Sequence, residues 1–83
     1  MTTKMNLKPW EEKVWNGRNL WQKARIAYRH DAMDNLTEDE LRELVATLSE
    51  MNFIANMSDD WKVTVKETRE NNAIAAKAKE LLN

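Results

Sequence analysis

The sequence predicts an all-α protein, built either as a three-helix bundle or as a helical hairpin plus a C-terminal helix, with oligomerisation as a way to complete the core. Three observations predict it. The chain of 83 residues holds one Gly and one Pro, and strand-rich domains need the turns that these residues supply. Apolar residues recur at spacings of three and four in successive stretches, which is the period of a helix face. One stretch also opens with a complete helix-start signal.

Residues 1–8 are polar and carry no period, so they read as a flexible N-terminal tail, followed by a single helical domain over 9–83. Pro9 suits the first position of a helix, where its missing N–H is harmless. Glu11 and Glu12 then fall in the first turn, where the helix dipole favours acids. Trp10, Val14, Gly17, Trp21, Ala24 and Tyr28 line one face, so the first helix is predicted over about 9–31. Gly17 interrupts that face at a cost of about 1 kcal/mol against Ala. Close approach of a neighbouring helix or a bulky ring would explain it.

Residues 31–35 read as a connection. Thr37 and Glu40 then have the spacing of a capping box, with Leu36 and Leu41 in the staple positions. The second helix is predicted over about 38–57, with Leu41, Leu44, Val45, Leu48, Met51 and Ala55 as its core stripe. Ser58, Asp59 and Asp60 signal a third start. Trp61 to Val65 alternates like a strand, but a lone strand has nothing to pair with, so the third helix is predicted over about 59–82. Asn71-Asn72 is the one place where it could break.

Each predicted helix also carries apolar residues off its stripe. On the first, Trp15 and Ile26 lie beside a basic strip of Arg18, Gln22, Arg25 and Arg29. Aromatic and Arg residues together are enriched at interface hot spots. Trp15, Arg18, Gln22, Arg25, Ile26 and Arg29 are therefore the candidate partner-binding face. The plainer explanation is a central helix packed on two sides. On the second and third, Phe53, Ile54, Met57, Val63, Ile74 and Leu81 form a candidate oligomer seam. For Phe53, Ile54 and Met57 the simpler expectation is burial at the corner before the third helix, against Trp61. The chain carries 26 apolar residues larger than Ala, and a single small core supplies only about 3–5 kcal/mol of net stability. A protein partner or a second copy is thus expected.

Composition excludes much chemistry. Without Cys no disulfide framework or cysteine-ligated metal site is available. A lone Gly cannot make a phosphate-cradling loop. His30 is the only histidine; no nucleophile pairs with it, and near a helix end it suits the dipole. The acids at 38–43 and 59–60 lack the spacing of a calcium loop. No catalytic residue, metal or cofactor is expected, and no stretch is long and apolar enough to cross a membrane. With no export signal, a cytoplasmic location is the expectation.

The charge of −1 divides into +3 over 1–35, −6 over 36–60 and +2 over 61–83. Attraction between oppositely charged helices explains this pattern most simply. The reading that results is a non-enzymatic protein–protein interaction module: an accessory, regulator or inhibitor. The alternative is an RNA- or DNA-binding protein using the basic and aromatic face of the first helix, where Lys23, Trp21 and Tyr28 add to the strip. In general style, a short Cys-free helical chain with several Trp, the sequence resembles small bacteriophage accessory proteins that block host or lysis machinery. No site residue is carried over from that likeness.

Overall fold

The computed structural model describes residues 3–57 and 61–83, with the side chains of residues 61–63 outside the described set. Four α-helices and no strand are found among the described residues: α1 (Pro9–Trp15), α2 (Leu20–Arg29), α3 (Glu38–Ala55) and α4 (Trp61–Leu82), with a 3-10 turn at Met33–Asn35 between α2 and α3. The alternating stretch at 61–65 is therefore helical, and Asn71-Asn72 does not break α4. The proposed cap at 58–60 lies outside the described residues.

The helix predicted over 9–31 is two helices. The Asn16 N–H closes α1 on the Glu12 carbonyl at 3.0 Å, and the Gly17 N–H donates to the Val14 carbonyl at 3.0 Å. A Cβ at Gly17 would stand 3.1 Å from that same Val14 oxygen. The crowding at Gly17 comes from its own preceding turn, where the Val14 and Lys13 carbonyls stand nearest, and not from a neighbouring helix or ring. Asn19 then starts α2 by accepting from the Gln22 N–H at 3.1 Å, the usual work of an N-cap Asn.

The other end of α2 is closed by a Schellman pair, with the Ala32 N–H donating to the Ala27 carbonyl at 2.7 Å and the Asp31 N–H to the Tyr28 carbonyl at 3.0 Å. That geometry needs a left-handed residue. Asp31 supplies it, with φ of 51°.

The capping box of α3 forms as predicted: the Glu40 N–H donates to Thr37 Oγ1 at 3.2 Å and the Thr37 N–H to Glu40 Oε1 at 2.9 Å. Leu36 and Leu41 on either side are buried.

The most extensive helix packing is between α3 and α4. Ala75 and Ala78 are buried on α4. Small side chains there let the α3 row of Leu41 and Leu44 approach closely. Leu44 is fully buried, a contribution of about 1.5–3 kcal/mol. Trp21, Ala24 and Ala27 of α2, with Met33 and Leu36 from the turn, join Leu41, Leu44, Ile74 and Ala78 in one cluster. The Trp21 Nε1–H donates to Thr47 Oγ1 at 2.9 Å, which satisfies its polar edge where it crosses to α3.

The expected loose tail is tied down over part of its length. The Thr3 N–H and hydroxyl both donate to Asp34 Oδ2, at 2.8 and 3.0 Å, and Asn35 Nδ2 donates to the Thr3 carbonyl at 2.6 Å. Met5 packs against the core.

The off-stripe residues divide. Ile74 belongs to the core, so it leaves the candidate seam. Phe53, Ile54 and Met57 are exposed, not buried at the corner. At about 100° per residue Phe53 falls roughly opposite Leu44 and Ala55, Ile54 falls to one side of them, and Met57 follows the end of the helix. Leu81 is partly exposed. The side chains of Trp61 and Val63 lie outside the described set.

Candidate docking site

Because the chain turns at 16–19, α1 folds back on α2, and α2 is the helix it packs against. The core residues Trp21, Ala24 and Ala27 occupy one face of α2; α1 covers another. Ile26, off the core stripe, is thereby buried at 4% exposure. The plainer reading of the first predicted helix holds for its second half: α2 is packed on two sides.

Two polar contacts hold α1 in place. The buried Glu11 carboxylate stands 2.9 Å from His30 Nε2 through Oε2, and its Oε1 accepts from the Lys8 N–H at 3.0 Å. The His30 hydrogen bond, with the Lys8 N–H behind it, holds the Glu11 carboxyl below the ordinary glutamate range. Lys23 lies with its ammonium 4.8 Å from the centre of the Trp15 ring and 2.8 Å from Glu40 Oε2. Burial pushes the Glu40 carboxyl up, but the Lys23 ammonium and the Thr37 N–H and hydroxyl together outweigh it and leave it lowered.

The fold-back exchanges the roles of two tryptophans. Trp10, assigned to the core stripe, is 58% exposed. Trp15, assigned to the partner face, is half-buried against the core. A continuous helix would have put Trp10 in line with Trp21. The turn removes that register.

Between α1 and α2 lies a groove of about 230 Å³ lined by Trp10, Val14, Gln22, Arg25, Ile26 and Arg29. Four of the six predicted partner-binding residues thus meet: Gln22, Arg25, Ile26 and Arg29. Arg18 is exposed in the turn, and Trp15 lines a separate depression with Met5, Leu7 and Glu12. Ile26 contributes floor and not surface.

The arginines are held from behind by α4. Arg29 grips Glu70 with two bonds, Nε to Oε2 at 3.3 Å and Nη2 to Oε1 at 3.2 Å. Arg25 Nε lies 3.4 Å from Glu70 Oε1, and its Nη2 donates to Asn71 Oδ1 at 2.9 Å. Asn71 is fully buried and donates through Nδ2 to Asn52 Oδ1 at 3.4 Å, while Asn52 donates to Asn72 at 3.1 Å. A polar chain therefore runs from the groove through α4 to α3.

Sequence reasoning placed Trp10 and Val14 in the core. The Asn16-Gly17 pair and the Asn19 cap were the signals that would have moved them. Nothing in the sequence marks Glu70 or Asn71 as partners of the α2 arginines, since those contacts exist only in the folded chain.

A larger cavity of about 440 Å³ is lined by Asp34, Leu36, Glu38, Leu41, Leu81 and Leu82. Of its two acids, Glu38 pairs with Arg42; Asp34 Oδ2 takes both Thr3 bonds, while its Oδ1 is buried without a hydrogen-bond partner. No group of three or more potential metal ligands is found among the described residues, and no helix among them is long and apolar enough to cross a membrane. Comparison with protein families, with curated proteins and with solved structures finds no match for this chain.

Proposed function

We propose that this chain is a non-enzymatic interaction module, an accessory, regulator or inhibitor, that docks a partner protein in the α1–α2 groove. The observation that carries the reading is Trp10: a large aromatic side chain, mostly exposed, at the mouth of an apolar groove with Arg25 and Arg29 beside it. Trp and Arg dominate interface hot spots because each buries much area and keeps a polar or charged handle. At about 230 Å³ the groove is smaller than the roughly 300–1,000 Å³ usual for small-molecule sites, and suits an anchoring side chain better than a whole substrate. A cytoplasmic setting is part of the proposal.

The test is affinity capture from a native lysate by the wild-type protein and by Trp10→Ala, with mass identification. A partner held by the first and lost by the second supports the reading. Identical capture by both overturns it.

The helices are proposed to form a bundle, with the exposed Phe53, Ile54 and Met57 as its seam with a second copy. Sedimentation of the pure protein and of Phe53→Ser tests this: a purely monomeric wild type removes the seam.

A further inference from the structure

Resting on the docking groove just described, the geometry points to the chemistry of its occupant: we infer that it is an acidic segment of a partner protein, one bulky apolar side chain flanked by a carboxylate. The apolar part follows from the lining. Val14 and Ile26 give an aliphatic wall and floor, and Trp10 offers a ring face at the entrance.

The carboxylate follows from the donors. A guanidinium has five N–H donors. Arg29 spends two on Glu70, and its side chain is 59% exposed, so its remaining donors face outward. Against the two groove cations, Arg25 and Arg29, the ion pairs among the described residues set one carboxylate, Glu70. The surface is short of negative charge, and a planar guanidinium matches a carboxylate with two parallel bonds.

Nucleic acid is disfavoured by the same contacts. Glu70 behind Arg25 and Arg29 offsets one of their two charges, and the acidic first turn of α3, Glu38 to Glu40, adds negative charge to the same small fold. A strand of phosphates needs a run of uncompensated cations. The aliphatic floor offers a base no second stacking surface.

The experiment is selection of a displayed random-peptide library on the full chain, followed by binding measurements with the selected peptides. The expected result is enrichment of Asp or Glu next to Leu, Ile, Phe or Trp. Trp10→Ala is expected to weaken the selected peptides at least about tenfold, in line with an interface hot spot. Glu70→Gln, which removes the competing internal carboxylate, is expected to tighten them by about threefold. A merely structural role for Glu70 would move affinity the other way. A circular dichroism spectrum confirms that each variant is folded.

Selected peptides that are neutral or basic yet lost on Trp10→Ala overturn the acidic occupant and leave the groove standing. An absence of enrichment, or peptides indifferent to Trp10→Ala, overturns both. Tighter binding of a single-stranded oligonucleotide than of any selected peptide, lost on Arg29→Ala, assigns the groove to nucleic acid and overturns the inference.

Discussion

Asn71→Ala is expected to destabilise the fold by about 2–3 kcal/mol. The side chain is fully buried in α4 and accepts a 2.9 Å bond from Arg25 Nη2. A hydrogen bond to a charged group is worth about 1.5–3 kcal/mol. The Arg25 side chain keeps 23% of its exposure, so water recovers part of the loss and the lower half of that range applies. Truncation also leaves a small void and frees the Asn52 carbonyl oxygen, adding up to about 1 kcal/mol. In a domain of this size 1 kcal/mol moves Tm by about 4–8 °C, so the expected fall is on the order of 10–20 °C. Urea unfolding followed by Trp fluorescence measures it. The adjacent exposed Asn72→Ala serves as control, with an expected change within about 0.5 kcal/mol. If the two variants unfold at the same urea concentration, the buried chain of amides carries no stability and the reasoning fails. A double-mutant cycle with Arg25→Met isolates the pair, with an expected coupling of about 1.5 kcal/mol.

Thr37→Ala removes one half of the α3 capping box and is expected to lower stability by about 1 kcal/mol in the same assay. Asp31→Gly relieves a left-handed backbone and is expected to raise stability by about 0.5 kcal/mol, the smaller because Gly loosens the unfolded chain; a fall in Tm would contradict the assigned conformation. Trp21→Ala, in the core, is expected to cost about 3–5 kcal/mol, while exposed Trp10→Ala leaves Tm nearly unchanged. The reverse order would restore the continuous first helix. Acid is expected to weaken the fold. Glu11 and Glu40 both have lowered pKa values, so their contribution is complete above the unfolded glutamate value of about 4.3 and is lost as pH falls through the lower folded values. A urea midpoint that does not move between pH 6 and pH 3 would contradict this.

The parts legible in the sequence were those decided locally. Thr37 and Glu40 announce their own capping box, and the stripe of α3 is set by its neighbours three and four residues away. Local signals also decided the turn at 16–19, but a strong apolar period ran straight across it. Asn16, Gly17 and Asn19 prevail because the caps they make satisfy backbone groups at both helix ends, and an in-register stripe gives no such satisfaction. The error then spread to the site. Gln22, Arg25, Ile26 and Arg29 were rightly grouped, since they share one unbroken helix. Trp15 was wrongly turned outward and Trp10 inward, since their orientation depends on where α1 lands. Glu70 and Asn71 lie more than forty residues from the arginines they hold, at a distance in sequence that no local pattern spans.

The groove has one wall on α1 and the other on α2, joined through the turn at 16–19. As the proposed binding surface, it exists only while α1 is seated. Affinity for any occupant is therefore the intrinsic affinity multiplied by the seated fraction. Residues that never touch the occupant enter that fraction directly, Glu11 and His30 above all. By the same linkage, an occupant that bridges both walls holds α1 down, and binding registers as slower amide exchange in α1 before it registers anywhere else.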